Sequence, residues 1–291
     1  LVNQELYLEV TMTASHITLE TMTPDHLDGA VVLSQQAGWP HRIEDWAMVL
    51  ALSNGVVALE GENVVGTAMA TPLNEDIATI NMVIVDETMR GRGLGRKLME
   101  AALDATQGRN CLLIATQDGL PLYEKLGFVA RGEIIQHQGA ARQVEAPSDV
   151  SWAKNDEFPH IVTLDHQAFG HDRTALMQLL RDKAEFAVIR LDREILAFAA
   201  IRPFGRGQVI GPVVAKTDGE AKKLIEFLLS QHADQFVRVD TNIATNLGGW
   251  LTERGLVPVG GGIAMRRSVR ALKENSGSEY RTYALVNQAF G

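Results

Sequence analysis

A lone cysteine, Cys111, excludes any intrachain disulfide, and so scarce a thiol suits a reducing cytoplasm, which is the expected compartment. Its apolar setting in "CLLIAT" makes it a buried structural thiol rather than a nucleophile. No apolar run reaches about 18 residues, so no transmembrane helix is expected. The opening "LVNQELYLEVTMTASH" has no basic segment leading into an apolar one and does not read as a secretory leader. Met12 is a candidate start, with residues 1–11 either foreign or a natural extension. Positive charge is also short: 27 Lys and Arg face 36 Asp and Glu, a net charge of −9, which argues against the broad basic footprint that nucleic acid calls for. The expected partner is a small molecule, with neither nucleic acid nor membrane; the oligomeric state is not readable. Aromatics make up only 6% of the chain and Trp only four residues, so two Trp in one short segment stand out.

What is present is a local reversal of that acidic background. "RGRGLGRK", residues 90–97, alternates glycine with basic residues between an apolar run, "INMVIVD", and a stretch with helical periodicity. A helix N-terminus offers unpaired N–H groups and a positive dipole end, and glycines ahead of it allow the backbone to wrap an anion, so phosphate is the natural guest. The dinucleotide fingerprint fits Gly91 and Gly93 but meets Arg96 where its third glycine belongs. The Walker pattern fails as well, because Leu98 stands where Ser or Thr would bind magnesium. Arg90-x-x-Gly93-x-Gly95 remains.

With "INMVIVD" before it and "CLLIAT" and "LPLYEKLGF" after it, this loop resembles that of the GNAT superfamily of N-acetyltransferases. The resemblance implies acetyl-coenzyme A as cosubstrate, with Gly91, Arg92, Gly93, Leu94, Gly95 and Arg96 on the pyrophosphate-contacting positions; Arg90 matches the first position of the cofactor-binding motif, with a solvated or structural arginine as an equal reading. It also implies that main-chain groups of Val83, Ile84 and Val85 pair with the pantetheine arm, and that Tyr123 is the acid that protonates the departing thiolate. A tyrosine is protonated near neutrality, which suits that role. The general base is left open among His41, Asp76, Asp118 and an ordered water. No metal is implied.

At 291 residues the chain has room for about two domains. The first half alternates in the order β-α-α-β-β-β-α-β-α-β, the order of the resembled family, an α/β fold on a mixed sheet. Periodicity fades over "QGAARQVEAPSDVSWAKND", and the same order then returns, giving two tandem GNAT-like domains over 12–145 and 146–291. The second copy is degenerate. Where the first half has Tyr123 the second has Leu251, and "GPVVAKTDGEAKKL" carries no glycine loop, so one cofactor site per chain is expected. Thr217 and Glu220 make a capping box there instead.

The segment "AGWPHRIEDW" holds Trp39, His41, Arg42 and Trp46. In the resembled family this loop shapes the acceptor pocket, so Trp39, His41 and Arg42 are candidate substrate-binding residues, whereas Trp46 has helix packing as an equal reading. The expected function is transfer of an acetyl group to a primary amine of a small molecule. A protein N-terminus or lysine is the alternative acceptor, and a noncatalytic acyl-coenzyme A sensor the alternative from another class. The second half is expected to wall the acceptor pocket, with the tail "YRTYALVNQAFG" reaching back toward the interface.

Overall fold

The computed structural model describes residues 17–271 and 277–291. The extension with Met12 lies outside them. Its first half runs β1 (Ile17–Thr21), α1 (Leu27–Gln36), α2 (Ile43–Leu50), β2 (Asn54–Glu60), β3 (Asn63–Pro72), β4 (Ile77–Val85), α3 (Leu94–Ala105), β5 (Asn110–Ala115), α4 (Leu120–Lys125) and β6 (Val129–Ala140). The second repeats it as β7 (Val150–Trp152), α5 (Phe158–Phe169), α6 (Thr174–Arg181), β8 (Glu185–Leu191), β9 (Glu194–Phe204), β10 (Gly207–Ala215), α7 (Asp218–Ser230), β11 (Phe236–Asn242), α8 (Gly248–Glu253) and β12 (Val257–Arg267). A last strand, β13 (Arg281–Ala284), follows. Strand β7 falls inside the stretch whose periodicity fades, because three residues are too few to show a period.

All the strands join one 13-stranded mixed sheet, β1-β2-β3-β4-β5-β12-β6-β11-β13-β10-β9-β8-β7. The two halves exchange their last long strands in it. Strand β12 of the second half lies antiparallel between β5 and β6, while β6 of the first half pairs with β11. The glycine run 260–262 permits this insertion: a β-carbon at Gly261, φ 151°, would stand 1.8 Å from the Ile134 carbonyl oxygen. The first half ends with β6 at Ala140 and the second starts with β7 at Val150, and the sheet is continuous from one to the other.

Apolar faces decide which side each helix covers. Leu94, Leu98, Met99 and Ala102 of α3 pack on the first half of the sheet together with buried Tyr123 and Phe128. Ala221, Leu224, Ile225, Leu228 and Leu229 of α7 do the same on the second half. A third cluster gathers α1, α2, α5 and α6 from both halves on the other side and includes Trp46, Phe198 and, from the tail, Val286 and Phe290. Removing a buried Phe of this kind costs about 3–5 kcal/mol, so that cluster locks the halves together.

Candidate active site

Strands β4 and β5 run parallel but stay paired only from Ile77↔Asn110 to Thr79↔Leu112. Beyond Thr79 they diverge. On its other side β4 keeps antiparallel pairing with β3, with a register shift between Thr67 and Met69. Opposite that bulge Met82 takes φ 50°, a left-handed value unusual outside glycine, and its carbonyl accepts from the Thr67 hydroxyl at 2.7 Å. Past this kink an extended ligand arm could pair with β4 as an added strand. Val83 and Val85 are half-buried beside the opening, while Ile84 turns into the core.

The glycine loop lies beyond the end of β4. Gly91 and Gly93 have φ of 77° and 78°, and a β-carbon at either would meet nothing within 4 Å, so the space before them is open. Gly93 is the N-cap of α3, and no side chain caps that first turn. Arg90, Arg92 and Arg96 are exposed around it, Arg96 paired with Glu100 at 2.8 Å, and Leu94 points into the core. Open N–H groups with arginines beside them fit a pyrophosphate.

Tyr123 of α4 reaches the same opening from the other side. It is 7% exposed, and burial pushes its phenol up to about 12, so it keeps its proton at neutral pH. Gly119 leaves room for the ring: a β-carbon there would sit 2.6 Å from Tyr123 Cε2. Gly119 carries no sequence signal of this role, because the contact depends on the tyrosine rotamer.

Met82, Val83, Leu113, Thr116 and Tyr123 open into a cavity of about 350 Å³. Its walls also include Trp39, His41 and Asp45, Gln136 and Gln138 of β6, Phe204, Arg206 and Arg238 of the second half, and the tail residues Asn287, Gln288 and Ala289. The structure therefore brings Trp39 and His41 to the site expected of them. Arg42 departs from that expectation: its guanidinium is spent on Asp45, with Nη2 to Oδ1 at 2.9 Å, and it does not line the cavity. Trp46 is fully buried and donates its indole N–H to Ser34 Oγ at 3.0 Å, a packing role. Asp76 faces Arg270 at 3.5 Å, and Asp118 sits exposed in the turn before α4; neither lines the cavity. His41 stands 3.1 Å from Ser34 Oγ through Nδ1, and burial, with Arg238 adding to it, lowers its pKa to about 4.

The second half has the matching opening, and it is filled from within the chain. Strands β10 and β11 pair in parallel from Gln208↔Val237 to Ile210↔Val239 and then diverge. Strand β13 occupies the gap, with Val213↔Ala284, Val214↔Thr282 and Ala215↔Arg281 on one side and Thr241↔Ala284 on the other. The helix start beyond is closed as well. Thr217 Oγ1 accepts from the Glu220 N–H at 3.2 Å, Glu220 accepts from the Thr217 N–H at 2.9 Å, and Asp218 accepts from the Tyr283 hydroxyl at 2.9 Å. Leu251 is fully buried at the place of Tyr123.

A splayed parallel pair with a helix crossing behind it, built twice in one mixed sheet, and an open glycine turn in the first half define the tandem acetyltransferase architecture. The chain belongs to the GNAT acetyltransferase family and is an acetyl-transferring enzyme: the GNAT acetyltransferase family matches residues 19–128, and a GNAT acetyltransferase domain matches residues 161–281. It is 27% identical over 212 residues to the uncharacterized N-acetyltransferase YitH of Bacillus subtilis (strain 168), covering 69% of this chain and 74% of that one. Its fold is similar to a crystal structure from Pyrococcus horikoshii, with TM-score 0.79, 19% identity and coverage of 99% and 100% of the two chains. A tandem GNAT protein from the clavulanic acid biosynthesis pathway shares the fold at TM-score 0.59 and 13% identity, over 89% of this chain and 100% of that one.

Proposed function

We propose that this enzyme moves the acetyl group of acetyl-coenzyme A to the primary amine of a small molecule, in the cytoplasm. The observation that carries this reading is the shared cavity, in which Tyr123 and the kinked end of β4 meet residues of the second half and the tail. The cosubstrate supplies a thioester, whose carbonyl is the electrophile and whose thiol leaves. The chain's own residues do the rest. The uncapped turn at Gly91 to Gly95 holds the pyrophosphate with main-chain N–H groups, and Arg92 and Arg96 add charge. The unpaired edge of β4 from Val83 to Val85 aligns the arm and aims main-chain donors at the thioester oxygen. Tyr123 keeps its proton until a thiolate, with an ordinary pKa near ~8.5, departs beside it. Walls contributed by loops, both halves and the tail favour a small acceptor over a protein segment, which would need a groove open along its length.

Thiol release from acetyl-coenzyme A across a panel of small amines and lysine- or N-terminus-bearing peptides tests this. Turnover with small amines and none with peptides is expected. Turnover with peptides alone would reassign the acceptor, and tight acetyl-coenzyme A binding without any turnover would make the chain a sensor.

A further inference from the structure

The second-half end of the cavity is unusually cationic for a buried sheet face. Register places Arg202 of β9 opposite Val209 of β10, Val209 opposite Arg238 of β11, and Arg238 opposite Gln138 of β6, a single row across four strands. Residues in one row share a face. Arg238 and Gln138 of that row line the cavity together with Phe204, while Arg202, two residues back along β9, lies against the Phe204 ring and does not itself line it. Both guanidiniums stand against the Phe204 ring, Arg202 at 5.1 Å and Arg238 at 5.2 Å from its centroid. Arg206, exposed and stacked on Phe236 at 4.7 Å, lines the cavity beside them.

The carboxylates at hand are already committed. Asp240, fully buried, takes Arg238 at 2.8 Å and the Gln288 amide at 3.2 Å. Asp45 takes the bidentate Arg42 and the Gly205 N–H at 2.9 Å. Arg42, Arg202, Arg206 and Arg238 thus face two carboxylates, an excess of two positive charges around a site where His41 is held neutral. The excess falls on Arg206, which is exposed, and on Arg202, which is buried. Arg202 is 2% exposed, only its Nη1 donates, to the Pro203 carbonyl at 3.3 Å, and its Nε and Nη2 have no partner among the described residues. Burial lowers its pKa only to about 10, so it stays charged. A buried cation with two unpaired donors is costly to a fold, and an apolar side chain would pack that row better. An anion brought by a ligand removes the cost, and a guanidinium fork matches an oxyanion in two parallel hydrogen bonds.

We infer that Arg238 and Arg206, with the unpaired charge of Arg202 beside them, form an oxyanion-binding subsite for the acceptor, so that the amine acetylated here also carries a carboxylate or a phosphate group. This rests on the function proposed above and names the substrate class that site takes. Held at Arg238 and Arg206, with the Arg202 charge adding to the field there, the acceptor would extend past Phe204 and His41, with its amine directed to the end of the cavity where β4 and Tyr123 lie.

The test uses the full chain and matched amines: β-alanine with propylamine for carboxylate, and glucosamine 6-phosphate with glucosamine for phosphate. Thiol release and ligand-induced shifts in melting temperature are read for the wild type and for Arg202→Met. The wild type should prefer the anionic member of at least one pair by about 10- to 100-fold in kcat/KM, the range for a charge-assisted hydrogen-bond pair, and the pair that responds separates carboxylate from phosphate. Arg202→Met should erase that preference while leaving the neutral amine and coenzyme A affinity unchanged. Its melting temperature without ligand should hold or rise, because the change removes an unpaired charge. Absence of thiol release with every amine would sink the proposed reaction but not the subsite, which the melting shifts then decide: protection by an anionic member, lost in Arg202→Met, upholds it. Equal response to both members of each pair, no response to either, or a preference that survives in Arg202→Met overturns it.

Discussion

The side-chain amide of Asn81 donates to the main-chain oxygen of Ala289 at 3.0 Å, tying the kinked strand of the first half to the tail of the second across 208 residues of sequence. The same amide reaches the Thr71 and Thr79 hydroxyls at 2.8 and 3.1 Å, so the kinked strand beside the opening and the segment that closes the cavity share one polar node. The tail is fixed at its far end too, where Arg173 Nη1 donates to the Gly291 carbonyl at 3.0 Å.

Deleting residues 286–291 should therefore damage acceptor use more than cosubstrate binding. The deletion leaves β13 in its gap but takes Asn287, Gln288 and Ala289 from the cavity wall and Val286 and Phe290 from the core. Calorimetric titration with coenzyme A should give an affinity within a few-fold of the full chain, whereas acetyl transfer should fall by at least about tenfold. Unchanged transfer would show that the tail only packs.

Tyr123→Phe should lower turnover by about two to four orders of magnitude, the range for a lost general acid, with the fold and coenzyme A affinity intact. Gly119→Ala attacks the same hydroxyl indirectly, since its β-carbon would push the ring aside. It should lower turnover by a smaller factor in the same direction. Single-turnover thiol release measures both; wild-type rates in Tyr123→Phe would mean that water supplies the proton.

Gly93→Val should abolish coenzyme A binding with only modest loss of stability. The protein itself offers a new β-carbon no clash, so the folding cost is that of forcing a branched residue to φ 78°, about 1–2 kcal/mol. The binding cost arises because that carbon occupies the space a pyrophosphate would need. Undiminished affinity in a folded Gly93→Val chain would move the phosphate site elsewhere.

One coenzyme A should bind per chain. The sequence already argues this from Leu251 and the missing glycine loop, but the stronger reason is visible only in three dimensions: β13 fills the opening between β10 and β11, and the capping box at Thr217 and Glu220 uses the N–H groups a phosphate would take. A titration stoichiometry of two would refute it.

The glycine loop, the tyrosine and the helix faces were legible because each is a local pattern of residue types at fixed spacing. The strand exchange was not, since the apolar alternation of β6 and β12 is the same whichever neighbour they pair with; only the glycines at 260–262 hint at a crowded insertion. Trp39 and His41 stand out in sequence by their odd company in one loop and line the cavity, while Arg42 does not line it, because a capping residue and a binding residue look alike in sequence. Arg238 carries a readable signal: "FVRVDTN" alternates Val237 and Val239 with Arg238 and Asp240, charges on a strand whose other face is core. Arg202 offers less, being one basic residue in an apolar run, and its meaning comes from the row it shares with Arg238.

Stability should fall as pH drops from about 6.5 toward 4, and His41 should carry much of that loss. Burial first, then Arg238 and Arg202, hold its folded pKa near about 4, against a partial pull upward from Asp45. In the unfolded chain the imidazole titrates near ~6.5, so between those values the unfolded state takes up a proton that the folded state refuses. The contribution is fully present above pH ~6.5, is lost as pH falls through the window, and levels off below the folded value; its ceiling is about 3 kcal/mol. Asp45 acts in a lower window. Burial pushes its carboxyl up, but hydrogen bonds from Arg42 and Gly205 outweigh this and leave it depressed, so its contribution is lost only below its usual range near 3.8. The two are separable by urea denaturation of the wild type and His41→Gln at pH 7.5, 5 and 3.5. His41→Gln keeps a hydrogen-bonding side chain for Ser34 but cannot titrate, so its stability should fall less than that of the wild type from pH 7.5 to 5, the residual loss coming from His137 and His171, whose pKa values burial also lowers, and both should weaken further at pH 3.5. A His41→Gln chain that loses as much as the wild type between pH 7.5 and 5 would place the proton uptake on another group.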